Sequence, residues 1–235
     1  CDEYTVYCDD GYIEANGFCY YQSDLDVLQS FIDNSQDGES NSSWPSVPSD
    51  LPPHELGLQL WDNGRLIEFC SSTWYAWCHS DYELRGEIPA DIGNLTNIIA
   101  LGLHNNSLSG EIPSGIGNLM NLEYFSLSSN KLSGEIPSEI GNLEQLKWLW
   151  IHANELGGEI PESICNLTSL DWSSAWSSGL YSYIYGNQLC PEYPECIEEF
   201  VGGQDTSECE VSLSIDMAEG WNWFSINVIA DDMSS

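Results

Sequence analysis

Apolar residues recur at a fixed period through the middle of the chain. Blocks that open with Gly-Glu-Ile-Pro begin at Gly86, Gly110, Gly134 and Gly158, and neighbouring blocks are 24 residues apart (134 − 110). A period of this size is typical of a solenoid coil made of one strand and a return segment. Matching apolar positions fall in three consecutive sets: Leu95, Ile98, Leu101 and Leu103; Leu119, Leu122, Phe125 and Leu127; Leu143, Leu146, Leu149 and Ile151. The alternation at the end of each set predicts a strand with one buried face.

An asparagine follows each predicted strand at the same phase, at Asn106, Asn130 and Asn154. A buried amide side chain carries both donors and an acceptor, so it can satisfy backbone groups that a tight turn exposes. We expect these residues to bond their own coil and its neighbour. On the C-terminal side Asn187 takes the next ladder position, but 33 residues separate it from Asn154 (187 − 154), which places an insertion in the last coil.

Each coil leaves an apolar face open until a neighbour stacks on it, so both ends of the stack need caps. Residues 22–35 predict an amphipathic helix that Ser23 or Asp24 caps. The Ser/Pro-rich residues 38–57 predict an irregular loop, and residues 64–69, GRLIEF, predict the first strand. The buried face of the helix is expected to consist of Leu25, Leu28, Phe31 and Ile32.

Nine cysteines without a CxxC pair favour disulfides and an oxidising compartment. Cys8 with Cys19 would tie an N-terminal hairpin, and Cys70 with Cys78 would close a short loop. The expected pairing at the other end is Cys165–Cys190 with Cys196–Cys209, although sequence alone leaves the connectivity open. This scheme leaves Cys1 without a partner. Cys1 could be free, joined to another chain, or lipid-bearing, but we favour pairing with a segment absent from this sequence.

These features divide the chain into five predicted parts. They are an N-terminal disulfide hairpin (1–22), an N-terminal cap (23–85), the repeats (86–170), an irregular last coil with a C-terminal cap (171–209), and a β tail or the start of a following domain (210–235).

The amino-acid composition argues against some classes of binding partner. The chain carries 38 Asp and Glu against four Lys and Arg, a formal net charge of −34, which argues against nucleic acid and anionic membrane surfaces. No apolar run is long enough to insert into a membrane. We therefore expect an extracellular protein, secreted or at a cell surface. N-glycosylation sequons lie at Asn41, Asn94, Asn105 and Asn166.

The repeat L-x-x-L-x-x-L-x-L-x-x-N-x-L-x-G-x-I-P resembles the plant-type leucine-rich repeat subfamily, known from plant receptor kinases and polygalacturonase-inhibiting proteins and also present in secreted bacterial proteins. The hairpin and the tail depart from the plant pattern and resemble modules of bacterial surface proteins. The resemblance implies an α/β solenoid, a right-handed coil with a concave parallel β-sheet, a second short strand per coil near LSGEIP and disulfide-tied caps. The small β element expected at the C-terminus rests instead on the alternation of apolar and polar residues in 211–235. It also implies binding of protein or glycan, without enzymatic activity.

Residues between the buried strand positions are expected to face outward on the concave side, and aromatic residues accumulate there toward the C-terminal end. Exposed aromatic clusters usually mark contacts. The predicted ligand-binding surface consists of His104, Tyr124, Trp148, Trp150, His152, Tyr183 and Tyr185. The alternative is that the insertion, which carries Trp172 and Trp176, folds over Trp148 and Trp150 and makes them core.

Catalytic and metal sites are weakly indicated. His104, Ser128 and His152 share one repeat phase, but no Asp completes a triad and no third ligand completes a zinc site. We expect no cofactor; calcium is the cation that the acidic loops, such as CDDG, would suit best. The leading hypothesis is a recognition module. The alternatives are a self-associating subunit of a filament, surface layer or adhesin, which would make the chain its own partner, and, last, an enzyme.

Overall fold

The computed structural model describes residues 6–37, 44–72, 78, 80–170, 172, 182–209, 211–212 and 227–228, the last four by their backbone alone. Cys1, Asn41 and most of the insertion lie outside these residues. The helix and strands are β1 (Tyr12–Ala15), β2 (Phe18–Tyr21), α1 (Gln22–Asp37), β3 (Leu58–Asp62), β4 (Arg65–Cys70), β5 (Arg85–Glu87), β6 (Ala100–Gly102), β7 (Ser107–Gly110), β8 (Tyr124–Ser126), β9 (Lys131–Gly134), β10 (Trp148–Trp150), β11 (Glu155–Glu159), β12 (Gln188–Cys190), β13 (Val211–Ser212) and β14 (Asn227–Val228).

Two five-stranded sheets form two sides of the coil. The concave sheet has the order β10-β8-β6-β4-β3 and the second sheet the order β12-β11-β9-β7-β5. All their pairings are parallel except β3 with β4. The third side consists of short 3₁₀ turns at Ile92–Asn94, Ser114–Asn118, Ser138–Asn142 and Glu162–Asn166. The predicted solenoid is confirmed, including the second short strand in each coil.

One continuous apolar core runs through the stack. Leu103, Leu127 and Ile151 are at most 1% exposed, and the other predicted column residues are fully buried. The core extends into α1 at one end, through Leu28 and Phe31. It also includes Val27, which the sequence analysis left out, and at the other end Ile184, Leu189, Ile197 and Val201. Both ends of the stack are therefore capped by apolar packing.

Four asparagines connect neighbouring coils through backbone hydrogen bonds. Asn130 Nδ2 donates to the carbonyl of Leu127 in its own coil and to that of Leu103 in the preceding coil, both at 2.9 Å. Its Oδ1 accepts from the Leu108 amide at 3.0 Å. The same three kinds of bond are made by Asn106, Asn154 and Asn187. Asn187 thus restores the ladder after the insertion, as the sequence indicated.

The N-terminal cap differs from expectation at Asp24, which does not act as a helix cap. Its fully buried carboxylate accepts from Arg65 Nε at 2.9 Å and Nη2 at 3.1 Å, and from the Leu66 amide at 2.9 Å. These bonds raise the pKa of Arg65. A buried carboxylate needs such partners because its desolvation is costly. The pair therefore fastens α1 to β4.

Strand β3 was not predicted. The turn that joins it to β4 is Asn63-Gly64, and both residues have positive φ (48° and 75°). An Asn-Gly pair between apolar strands is a strong hairpin signal. The acidic, Pro-flanked sequence before the turn concealed it.

Disulfides close both ends of the stack. Cys8–Cys19 and Cys70–Cys78 are the expected pairs. The other two are Cys165–Cys196 and Cys190–Cys209, so the expected pairing of these four cysteines was wrong. Cys190 ends β12 and is paired in the sheet with Glu159 of β11. Cys165 lies in the 3₁₀ turn that follows β11, and the segment that contains the buried Ile197 returns to this turn.

We expect Asn130→Ala to destabilise the protein by about 2–3 kcal/mol, because the Leu108 amide loses its acceptor inside the stack and the Leu103 and Leu127 carbonyls each lose one of two side-chain donors. Asn121→Ala is a matched control, since that exposed side chain makes one bond to the Thr96 carbonyl and its loss should cost under about 1 kcal/mol. Chemical denaturation under non-reducing conditions measures both. Equal costs for the two variants would contradict a structural role for the ladder.

Candidate functional site

Six rings form one continuous cluster at the C-terminal end of the concave sheet. Tyr124 lies 5.4 Å from Trp150 and 6.5 Å from Trp148, measured between ring centroids. Trp150 lies 6.4 Å from Tyr183, and His152 is stacked on Tyr185 at 4.9 Å. We call this cluster the aromatic patch: Tyr124, Trp148, Trp150, His152, Tyr183 and Tyr185. The structure thus brings together six of the seven residues predicted for the binding surface.

Strand register arranges the patch in rows that run across the sheet. One row passes through Cys70, Gly102, Ser126 and Trp150, and Tyr183 extends it by an isolated bridge. Neighbouring strands are about 4.8 Å apart, so side chains of one row lie side by side. This row therefore changes from small residues at its N-terminal end to large rings at its C-terminal end.

The seventh predicted residue, His104, does not belong to the exposed surface. It is 1% exposed, and Ser126 and Ser128 beside it are 0% and 5% exposed. The prediction that these slots face solvent was wrong. Gly102 shows part of the reason, because a Cβ at that position would lie 2.7 Å from Cys70 Sγ. The Cys70–Cys78 disulfide occupies this end of the concave face, and the glycine provides the space.

The aromatic patch is half-buried, and Tyr185 is the most exposed of its rings at 44%. Trp172 packs against the core as a partly buried residue. Tyr181 and Trp176 lie outside the described residues, so the alternative that the insertion covers Trp148 and Trp150 is not tested.

Electrostatics at the patch favour neutral imidazoles. Burial, with a contribution from the charge of His152, lowers the pKa of His104 to about 4, and burial lowers the pKa of His152 to about 4. Within the described part of the chain, His152 Nδ1 and Ser126 Oγ are buried without a hydrogen-bond partner. Such atoms are costly to leave unsatisfied.

The family described as Leucine Rich Repeat matches residues 97–119, 121–143 and 145–174. These three segments are leucine-rich repeats. They include β6, β8 and β10, so the strands that carry most of the aromatic patch belong to the repeats themselves. Among curated proteins, none matches the sequence.

Solved structures with leucine-rich repeats resemble the chain. One is the ectodomain of the plant membrane receptor kinase GASSHO1/SCHENGEN3 from Arabidopsis thaliana in complex with CASPARIAN STRIP INTEGRITY FACTOR 2, with 27% identity and a TM-score of 0.58 over 77% of this chain and 20% of that chain. Another is the BIR3–SERK2 complex from the same plant, with 25% identity and a TM-score of 0.52 over 76% of this chain and 91% of that chain. This chain therefore spans a fifth of the first protein and most of the second.

A third structure shares the leucine-rich repeat fold at lower identity. The ectodomain of the receptor kinase SOBIR1 from Arabidopsis thaliana is 22% identical, with a TM-score of 0.53 over 78% of this chain and 90% of that chain. At this identity the likeness concerns the fold alone.

Two sequons lie on exposed positions of the repeats. Asn94 and Asn166 end 3₁₀ turns on the third side of the coil, away from the aromatic patch, and both are exposed. Asn105 is half-buried with φ 53°. The serine of its sequon, Ser107, is buried and donates to Glu83 Oε1 at 2.7 Å. Asn41 lies outside the described residues, and glycosylation at all four stays a prediction.

Other chemistry has little support in the repeats. Across the described ranges, no three or more His, Cys, Asp or Glu side chains form a group that could hold a metal ion. The row of His104, Ser128 and His152 exists, but two of its members are buried. Calcium binding stays a prediction. No helix in the part of the chain that the structure describes is long and apolar enough to cross a membrane.

We expect the protein to lose stability as the pH falls from about 6.5 toward 4, because the unfolded chain binds protons on His104 and His152 that the native state excludes. His104→Gln should remove part of this loss, a difference of about 1–3 kcal/mol at pH 4. Chemical denaturation across this pH range gives the free energy of unfolding of the parent and of the variant. The difference between the two removes the contribution of the carboxylates, which titrate in both proteins. Imidazole NMR signals of both residues that titrate near pH 6.5 would contradict the expected burial.

Proposed function

We propose that this chain is a non-enzymatic extracellular recognition module that binds a protein segment through the aromatic patch. The observation that carries the proposal is the continuous contact of six rings on one end of the concave sheet. Tyr and Trp are the residues most often found at binding hot spots. They offer a large contact area at a small cost in side-chain entropy.

The sheet beneath the patch supports this role. Tyr124, Trp148 and Trp150 stand on strands whose alternate residues, Phe125 and Leu149, are fully buried in the core. A surface held in this way needs little ordering when a ligand arrives, so less of the interaction energy is lost. The patch is also bounded on one side by the Cys70–Cys78 disulfide, which directs a ligand toward the C-terminal end.

Similar structures are consistent with protein recognition. The GASSHO1/SCHENGEN3 ectodomain and BIR3–SERK2 were both solved as complexes. The four disulfides of the described chain are typical of proteins that fold in an oxidising compartment, which agrees with an extracellular module. Binding of a glycan is the competing form of recognition, since aromatic rings also suit sugar rings.

We expect the double variant Trp148→Ala, Trp150→Ala to lose the ligands of the parent. Peptides are selected from a random displayed library on the disulfide-intact parent and then measured against each variant by calorimetry. Loss of both rings should weaken binding by more than tenfold, the effect of a hot-spot residue. Met120→Ala is the matched control, because Met120 is 63% exposed but lies outside the patch.

The outcomes separate the forms of recognition. Peptides that bind the parent and the Trp double variant equally would overturn the role of the patch. If no peptide is enriched but an immobilised glycan series binds in a Trp-dependent way, the patch recognises glycan and the protein-binding proposal fails.

Self-association is a second candidate function with one observation in its favour. β3 is the outermost strand of the concave sheet, and Leu58 and Leu60 on it are 53% and 49% exposed. An open apolar strand edge can pair with another chain. We expect Leu58→Lys with Leu60→Lys to reduce any oligomer seen by light scattering or negative-stain imaging, whereas a parent that stays monomeric at high concentration would exclude a filament built through this edge.

A further inference from the structure

A second aromatic site lies at the opposite end of the stack from the aromatic patch. A cavity of about 810 Å³ opens between the N-terminal hairpin and the turn that joins β3 to β4. Five rings and one carboxylate line it: Tyr7, Tyr12, Phe18, Tyr20, Trp61 and Asp9. We call it the hairpin groove. β3 and β10 are the two outer strands of the concave sheet, so the groove and the aromatic patch are separate surfaces.

The groove is a built feature rather than a gap between loose segments. The Cys8–Cys19 disulfide joins the segment before β1 to β2. Tyr20 lies 4.8 Å from Trp61 and is stacked on His54 at 5.5 Å, which holds the hairpin against the cap. Gly64 allows this contact, since a Cβ there would lie 2.5 Å from the Cys19 carbonyl oxygen.

Large ring surfaces in the groove remain in contact with water. Tyr7 is 90% exposed and Phe18 is 66% exposed, whereas Tyr12, Tyr20 and Trp61 in the same lining are half-buried. Exposed large aromatic residues that converge on one cavity indicate a ligand site. The groove therefore offers several ring faces and edges to a partner.

The charges around the groove favour a cation. Asp9 is the ionisable acid in its lining, and no Lys or Arg lines it. The protein has only four such cations; Arg65, the one beside the hairpin, is paired with Asp24 and lies 4.2 Å above the ring of Tyr21. This contact shows that a guanidinium already stacks on a neighbouring ring of the same hairpin. The net charge of −34 would draw further cations to the protein.

Ring orientation also favours a cation over a sugar. Tyr20 and Trp61 are inclined at 74° to each other, so they form a corner instead of the flat platform that a sugar ring would lie on. Inclined rings offer an organic cation more than one face, and the Asp9 carboxylate in the same lining supplies the opposite charge. We infer that the hairpin groove binds an Arg or Lys side chain of a basic protein segment.

The test uses the complete, disulfide-intact chain and a defined probe. The probe is a blocked Gly-Arg-Gly-Arg-Gly peptide, and its neutral counterpart carries citrulline in place of both arginines. The indole N–H signal of Trp61 reports binding in NMR titrations. We expect the Arg peptide to shift this signal saturably, the citrulline peptide to leave it unchanged, and added salt to weaken binding, since salt screens exposed charges.

Variants locate the site. Tyr7→Ala, Phe18→Ala and Asp9→Asn should each weaken the affinity by about three- to fivefold, the size expected for exposed cation–π and charge contacts. Glu144→Gln controls for the loss of one exposed negative charge, and Phe200→Ala, outside both the groove and the aromatic patch, controls for the loss of one exposed ring elsewhere. Both controls should bind the Arg peptide as the parent does.

The inference is overturned by any of four results. They are no saturable binding of the Arg peptide, equal binding of the citrulline peptide, unchanged affinity in Tyr7→Ala and Phe18→Ala, or a shift of the Trp61 signal by oligosaccharides alone. Because the groove shares no residue with the aromatic patch, these results leave the proposed function untouched.

Discussion

The fold depends on the hydrogen bonds of four asparagine side chains. Each amide satisfies a carbonyl in its own coil, a carbonyl in the coil before it and a backbone amide there. The Leu103, Leu127 and Ile151 carbonyls each accept from two successive asparagines, and a backbone amide left without its acceptor inside the stack is costly. Since two of the three bonds of each asparagine reach the preceding coil, neighbouring coils cannot shift past one another without breaking both of them. The exact register of the concave sheet follows from this constraint.

Register decides what the concave face can do. Rows of side chains cross the sheet at right angles to the strands, and each row ends in rings near β10. The opposite end is occupied by the Cys70–Cys78 disulfide, for which Gly102 leaves space. One face therefore has two unlike ends, a closed one and an aromatic one. This asymmetry agrees better with the proposed binding of a short segment than with a ligand that follows the whole concave surface.

Much of the fold could be predicted because it repeats. The period of 24 residues reveals the buried columns and the ladder, since each position is supported by several copies, and the family resemblance that the repeat carries implied the second strand. The features that were missed occur once. Asp24 resembles a helix cap in sequence, but only the structure brings Arg65 to it. The pairing of Cys165 with Cys196 depends on where β12 lies. The burial of His104 depends on surroundings that the repeat pattern does not describe.

The binding surface could be predicted in part, because the repeat shows which positions it leaves free. Trp148 and Trp150 stand out because the repeat does not require rings at those positions. Their grouping with Tyr183 required the register of the last coil, which the sequence could only suggest through Asn187. The hairpin groove combines Tyr7, Phe18 and Trp61 from two separate parts of the chain, and no periodicity connects them.

The long last coil has a consequence for how such a protein can change. The chain leaves the regular path after Leu170 and rejoins it at Ser182, whose hydroxyl accepts a hydrogen bond from the Leu149 amide at 3.1 Å. The backbone hydrogen bonds before Leu170 and after Ser182 are those of an ordinary coil. Since Asn187 still makes all three ladder bonds although 33 residues, instead of 24, separate it from Asn154, the scaffold tolerates a change in the length of this coil. This position is a natural point at which to graft new specificity.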